Sequence, residues 1–227
     1  MEQRRLHNPD HVVDAHSVPP ETASDLGDLR FRALVSSEEW SQLPPAVRKR
    51  FSKRVSAGST VVYTGEVSES RFSRAGWFLA QAARAIGGPL PTGTDVGVPS
   101  VVTVTEDIAT GGQIWTRLYA RRCGFPQIIH SSKRFSGSTG LEEHIGRGIG
   151  MALTVHIENG ALVFRSAHYF FAFGRHRMWL PRWLAPGALC VTHADMGGGR
   201  FKFSLEITHP FLGCLIKQSA VFQETVS

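Results

Sequence analysis

Cysteine is scarce in this chain, and its three residues, Cys123, Cys190 and Cys214, include no Cys-x-x-Cys spacing. An odd, scattered set argues against a disulfide framework and against a cysteine-rich zinc site, leaving three reduced thiols. Long apolar runs are missing too: nothing approaches the length of a transmembrane helix, and no hydrophobic stretch follows the basic start Met1–Pro9. The expectation is a cytoplasmic protein able to touch a membrane without crossing it. No Gly-x-Gly-x-x-Gly opens a helix after a strand, which excludes a dinucleotide-binding domain from the chain. No Gly-x-Ser-x-Gly elbow presents a nucleophilic serine, and Gly137-Ser138-Thr139-Gly140 lacks the Lys-Ser/Thr ending of a phosphate-binding loop. His7, His11 and His16 flank Pro9 with no rigid scaffold, while His156, His168 and His193 fall on separate strand candidates. All six read as solvated or structural histidines, so neither a metal site nor a cofactor is expected.

Acidic residues are outnumbered, 19 against 25 lysines and arginines, giving a formal charge of +6. Such an excess draws phosphates, anionic lipid surfaces or acidic ligands at long range without choosing among them. Arg48-Lys49-Arg50 suits the C-terminal dipole of a helix and reads as a solvated face, so no specific nucleic-acid contact is expected. A hydrophobic content of 42% over 227 residues is enough for a substantial core.

Residues 1–27 are polar, proline-containing and aperiodic, the pattern of a flexible leader before a single globular domain at 28–227. Residues 29–35 and 40–51 read as two short helices. Thr60–Val67 reads as a strand, and residues 73–86 as an amphipathic helix capped by Ser73 and ended by Gly87-Gly88-Pro89. From Val98 the period becomes two. Strand candidates run over 98–105, 113–119, 150–157, 161–171, 188–194, 200–208 and 214–222, with 128–135 weaker, and Glu158-Asn159-Gly160 and Gly197-Gly198-Gly199 mark turns. The fold class expected is α+β, predominantly antiparallel β: a curved sheet or partial β-barrel with N-terminal helices packed on it.

Alternation places Phe201, Phe203, Leu205 and Ile207 on one face of their strand, predicted to be the buried one. In 161–171 it groups Leu162, Phe164, His168 and Phe170 against Val163, Arg165, Ala167, Tyr169 and Phe171. In 113–119, Trp115, Arg117 and Tyr119 share a face and form an aromatic–basic–aromatic row able to surround an anionic or carbonyl-bearing ligand. The same arginine could serve structurally, paired with Glu142, Glu143 or Asp195. The stretch Arg175 to Leu184, with Arg175, Arg177, Trp179, Arg182 and Trp183, reads either as a membrane-surface loop or as a cap over one end of the sheet.

Taken in order, Leu43-Pro44-Pro45-Ala46-Val47-Arg48, Trp115-Thr116-Arg117, Leu141 to Gly146, Leu180-Pro181-Arg182-Trp183-Leu184-Ala185-Pro186, Gly199 to Phe203 and Pro210-Phe211-Leu212-Gly213 resemble the bacterial family called domain of unknown function 4166. The resemblance spans about residues 29 to 222. It implies the solitary form of a domain whose relatives also occur behind saccharopine-dehydrogenase-like domains, and it brings no catalytic residues. The chain departs from the family pattern after Trp-x-Arg, where it continues Leu118-Tyr119-Ala120, and after Leu-Ala-Pro, where it offers His193.

Two functional readings follow. In the first, the domain binds a small apolar or lipid-like molecule whose polar or anionic end is oriented by Arg117. In the second, a cofactor-independent isomerase, cyclase or hydrolase uses Glu143 or His168 as an acid–base group and Arg117 as an electrostatic stabiliser. The family's fusions add a separate oxidoreductase as a possible partner.

Overall fold

The computed structural model describes residues 27–55, 59–174 and 176–224, so nearly all of the expected leader lies outside the described residues. Among these described residues there are three short α-helices, α1 (Ser37–Ser41), α2 (Pro45–Phe51) and α3 (Arg74–Ala83). The strands are β1 (Thr60–Phe72), β2 (Pro99–Asp107), β3 (Gly112–Tyr119), β4 (Gln127–Arg134), β5 (Glu142–Gly146), β6 (Ile149–Glu158), β7 (Ala161–Phe173), β8 (His176–Trp179), β9 (Ala188–Gly197), β10 (Arg200–His209) and β11 (Gly213–Glu224). No helix among the described residues is long and apolar enough to cross a membrane.

The sheet is antiparallel in the order β6-β5-β4-β3-β2-β1-β11-β10-β9-β7, and β6 also pairs with β7 from Ile149↔Phe171 to Glu158↔Ala161. Ten strands therefore close into a barrel, which corrects the expectation of a partial one. The link the sequence hides is β5. Glu142-Glu143-His144 puts a charge on each face of a strand, a pattern no half-buried sheet normally shows, yet it bridges β4 to β6 through Lys133↔Glu143↔Met151.

One end of the barrel is plugged by the N-terminal segment. Ser36 and Glu39 form a capping box on α1, and Pro45 at the first turn of α2 begins a second helix where the sequence suggested one continuous run. Phe31, Trp40, Leu43, Val47 and Phe51 from this segment are buried with Leu153, Leu162 and Phe164 of the barrel wall. Phe31 meets Phe51 and Phe164 edge to face at 5.2 and 6.1 Å.

The other end is crossed by α3 and the 3-10 turn Arg84–Ile86. Ser73 caps α3 by accepting from Gly76 N at 3.1 Å. Gly76 rests so tightly on β11 that a Cβ there would lie 1.9 Å from the Leu215 carbonyl oxygen, and the Ile86 carbonyl reaches Gly146 on the far side. The helix thus spans the opening from β11 to β5.

Two irregularities shape the wall at this same end. In β7 the register moves from Met151↔Tyr169 and Ala152↔His168 to Leu153↔Ser166, leaving Ala167 as an extra residue. One extra residue exchanges the faces. Tyr169 therefore points inward and His168 and Phe170 do not, unlike the unbroken alternation expected from the sequence. Beyond the bulge, β7 parts from β9, which it pairs only over Leu162–Arg165, and takes β8 instead over Phe170–Phe173. The segment 180–186 fills the resulting gap, anchored by Leu180 N donating to Tyr169 O at 2.9 Å.

Candidate ligand-binding site

Inside this end of the barrel lies a cavity of about 280 Å³. Its lining is almost wholly apolar: Leu79 and Ile86 from the helix above, Ile149, Met151, Leu189, Val191, Leu205 and Ile207 from the wall, and Leu180, Leu184 and Pro186 from the gap-filling segment. Phe201, Phe203, Leu205 and Ile207 share the inward face of β10, but only Phe201 and Ile207 are fully buried; Phe203 and Leu205 are half-buried, and Leu205 lines the cavity.

The polar exceptions are Arg117, Ser131, Glu143 and Tyr169. Arg117 of β3 is 7% exposed, and its Nη2 lies 3.3 Å from Ser131 Oγ and 3.5 Å from Glu143 Oε1. Glu143 is also bound by Lys133 Nζ at 2.9 Å. Two buried cations thus share one carboxylate. Burial alone would raise Glu143, but Lys133, Arg117 and Ser131 together hold it down at about 2, against 4.5 for an ordinary glutamate. Lys133 also moves down, first through burial and partly through repulsion from Arg117, which outweigh its attraction to Glu143. By geometry, one carboxylate stands against two buried cations. Among the described residues, Arg117 Nε has no hydrogen-bond partner. Burial pushes Tyr169 up to about 12, so it remains a phenol at neutral pH.

Of the aromatic–basic row, Arg117 alone lines this cavity. Trp115 points inward further down, in a cluster with Val104, Phe201 and Phe222, and donates from Nε1 to Gln113 at 3.2 Å. Tyr119 packs against Val67, Val98 and Ile129, and lines a separate small cleft. The structural pairing offered for Arg117 resolves onto Glu143. Glu142 faces the other way and binds Arg177 at 2.8 Å and His144 at 3.1 Å. Asp195 Oδ1 has no partner among the described residues.

Glu143 and His168 are not brought together. Lateral pairing puts Glu143, Met151 and Tyr169 on the inner face, and Ala152 and His168 on the outer one, where the imidazole packs edge-on against Trp179 at 3.8 Å. An acid–base pair acting across one bound substrate is not formed by these two side chains. His193 is likewise apart: it stacks on Phe201 at 4.4 Å, and Arg50 Nη1 sits 2.9 Å from its Nε2. A guanidinium cannot accept, so this nitrogen accepts and the ring is neutral; burial first and Arg50 second hold its pKa well below the usual value. His156 bonds Thr154 on the exposed surface, and no cluster of metal-ligating side chains occurs among the described residues.

Of the five membrane-surface candidates, Arg177 is engaged by Glu142 and Trp179 by His168, which fixes β8 to the wall. Arg182 and Trp183 are exposed, the latter at 81%, and Arg175 lies outside the described residues. The stretch caps one end of the sheet through Leu180, Leu184 and Pro186, which wall the cavity, while Trp183 projects into solvent.

Sequence reasoning missed Ser131, Lys133 and Tyr169. Ile129, Ser131 and Lys133 alternate on the inner face of β4, and the polar pair among them is why that strand reads weakly. Tyr169 is hidden by the bulge.

Fold and cavity together define a closed antiparallel β-barrel with an apolar interior compatible with ligand binding. A family model described as Domain of unknown function (DUF4166) matches residues 43–222, and the chain belongs to that family. No curated protein and no solved structure matches it.

Proposed function

We propose that the barrel binds a small amphipathic molecule, with the apolar body in the cavity and an anionic end, a carboxylate by preference, against Arg117. The observation that carries this reading is a buried guanidinium lining an otherwise apolar cavity, with one carboxylate serving both it and Lys133. Uncompensated charge in a low-dielectric interior is costly, and a ligand anion supplies the missing partner. A single surplus positive charge suits a monoanion better than a phosphate dianion. At about 280 Å³ the cavity stands near the lower end of small-molecule sites, which run from about 300 to 1,000 Å³, so the apolar body is short or compact.

Native mass spectrometry of protein purified without delipidation tests the reading. The expected spectrum shows a mass above that of the chain, released in negative-ion mode as an organic acid and lost in Arg117→Met. A wild-type protein that carries no ligand and takes up none of an added series of alkyl carboxylates would overturn the proposal.

A further inference from the structure

The segments at the cavity end, residues 73–98, 120–126, 147–148, 176–187 (with β8) and 210–212, together have two properties that the other end lacks. They carry most of the exposed large apolar side chains, including Trp77, Phe78, Phe125 (92% exposed), Trp183 (81%) and Phe211 (90%), whereas the opposite end shows Leu29, Ile108 and Met196. They are also almost free of acid. Arg74, Arg84, Arg121, Arg122, Arg147 and Arg182 are all exposed on them, and Asp95 is their one acidic residue.

We infer that this end of the barrel docks on a membrane surface carrying anionic headgroups, and that the docked face is where the cavity exchanges its ligand. The second clause rests on the amphipathic-ligand reading above. Exposed indole and phenyl rings ringed by arginines match the two layers of such a surface, because aromatic side chains settle at the headgroup level and guanidinium groups meet the lipid phosphates. Arginine and tryptophan also anchor protein partners. The segment 180–186 decides for the bilayer. Leu180, Leu184 and Pro186 wall the cavity, Leu184 while still partly open to solvent; Arg182 and Trp183 stand in solvent; and the segment fills a place where β7 and β9 do not pair. Sinking Trp183 into an apolar medium brings that medium against a stretch of the cavity wall that is not closed by strand pairing. A bilayer offers both the medium and a supply of amphipathic anions.

Co-sedimentation with vesicles of phosphatidylcholine alone, and of phosphatidylcholine mixed equally with phosphatidylglycerol, provides the test. It is run on wild type, on the charge variant Arg74→Gln/Arg121→Gln/Arg122→Gln/Arg182→Gln and on the wedge variant Trp183→Ser/Phe211→Ser, with octanoate binding in solution measured on each. Wild type is expected to partition to the mixed vesicles at low salt and to weaken as salt rises, since surface attraction is screened over about 10 Å at 0.1 M. Each arginine near an anionic surface contributes about a fivefold factor, so the charge variant should lose at least tenfold in partition. Wild type should bind phosphatidylcholine alone more weakly, and the wedge variant should lose binding to both vesicle types. Both variants should keep octanoate binding, which separates docking from the cavity. Equal partition of wild type and the charge variant at low salt, or retention on a nucleic-acid resin without partition to vesicles, would overturn the docking inference. Vesicle partition by a wild type that binds no octanoate would instead overturn the cavity reading and, with it, the ligand-exchange role.

Discussion

Glu143→Gln is expected to cost about 3–5 kcal/mol of folding stability, the usual penalty for removing one partner from a buried ionic group. Arg117 and Lys133 would then face each other in an apolar interior with no carboxylate between them. The same group predicts a pH dependence. Glu143 has a folded-state pKa of about 2 against 4.5 when unfolded, so its contribution is fully present above about 4.5 and is lost as pH falls from there towards about 2. Urea unfolding of wild type between pH 3 and 7 should show this loss, and in Glu143→Gln that part of the slope should be flattened. The variant should also gain more thermal stability from octanoate than wild type does, because the ligand replaces the missing anion. Wild-type stability in Glu143→Gln at pH 7 would show that the two cations are already compensated by something else.

Leu205→Trp should abolish octanoate binding, a loss of more than tenfold, while changing stability by only about 1 kcal/mol. Larger side chains usually destabilise by about 1–3 kcal/mol because packed cores have no room for them. Leu205 differs in facing the cavity, where an indole occupies space in place of displacing neighbours. Thermal unfolding and a ligand titration on the same sample check both halves. Retained binding would place the ligand somewhere other than this cavity.

The period-two runs from Val98 onward were legible in the sequence as an antiparallel sheet because most strands of the barrel have one apolar, inward face. Closure was not legible, since it depends on β5, whose two adjacent glutamates point in opposite directions. Arg117 could be singled out because a charge stood among inward aromatics on one strand. Its surroundings could not, because Ser131, Glu143 and Tyr169 are set beside it by lateral register across the five strands β3 to β7, and one bulged residue, Ala167, decides which of His168 and Tyr169 looks inside. Pairing register of that kind is a property of neighbouring strands, so no single strand's periodicity contains it. The segment Leu180–Pro186 stood out as aromatic, basic and proline-rich. Its place in a gap of the wall follows from β9 leaving β7, for which the local sequence carries no mark.

The central claim is that Arg117 receives an anionic head inside the barrel. It is tested most directly by calorimetric titration of octanoate and of octanol, ligands alike in their tails, into wild type and into Arg117→Met. Methionine keeps the apolar stem and leaves Lys133 and Glu143 as a matched pair. A hydrogen bond to a charged group contributes about 1.5–3 kcal/mol, so wild type should prefer the carboxylate over the alcohol by about ten- to a hundredfold, and Arg117→Met should bind the two alike. An equal preference for octanoate in both proteins, with both folded, would contradict the account.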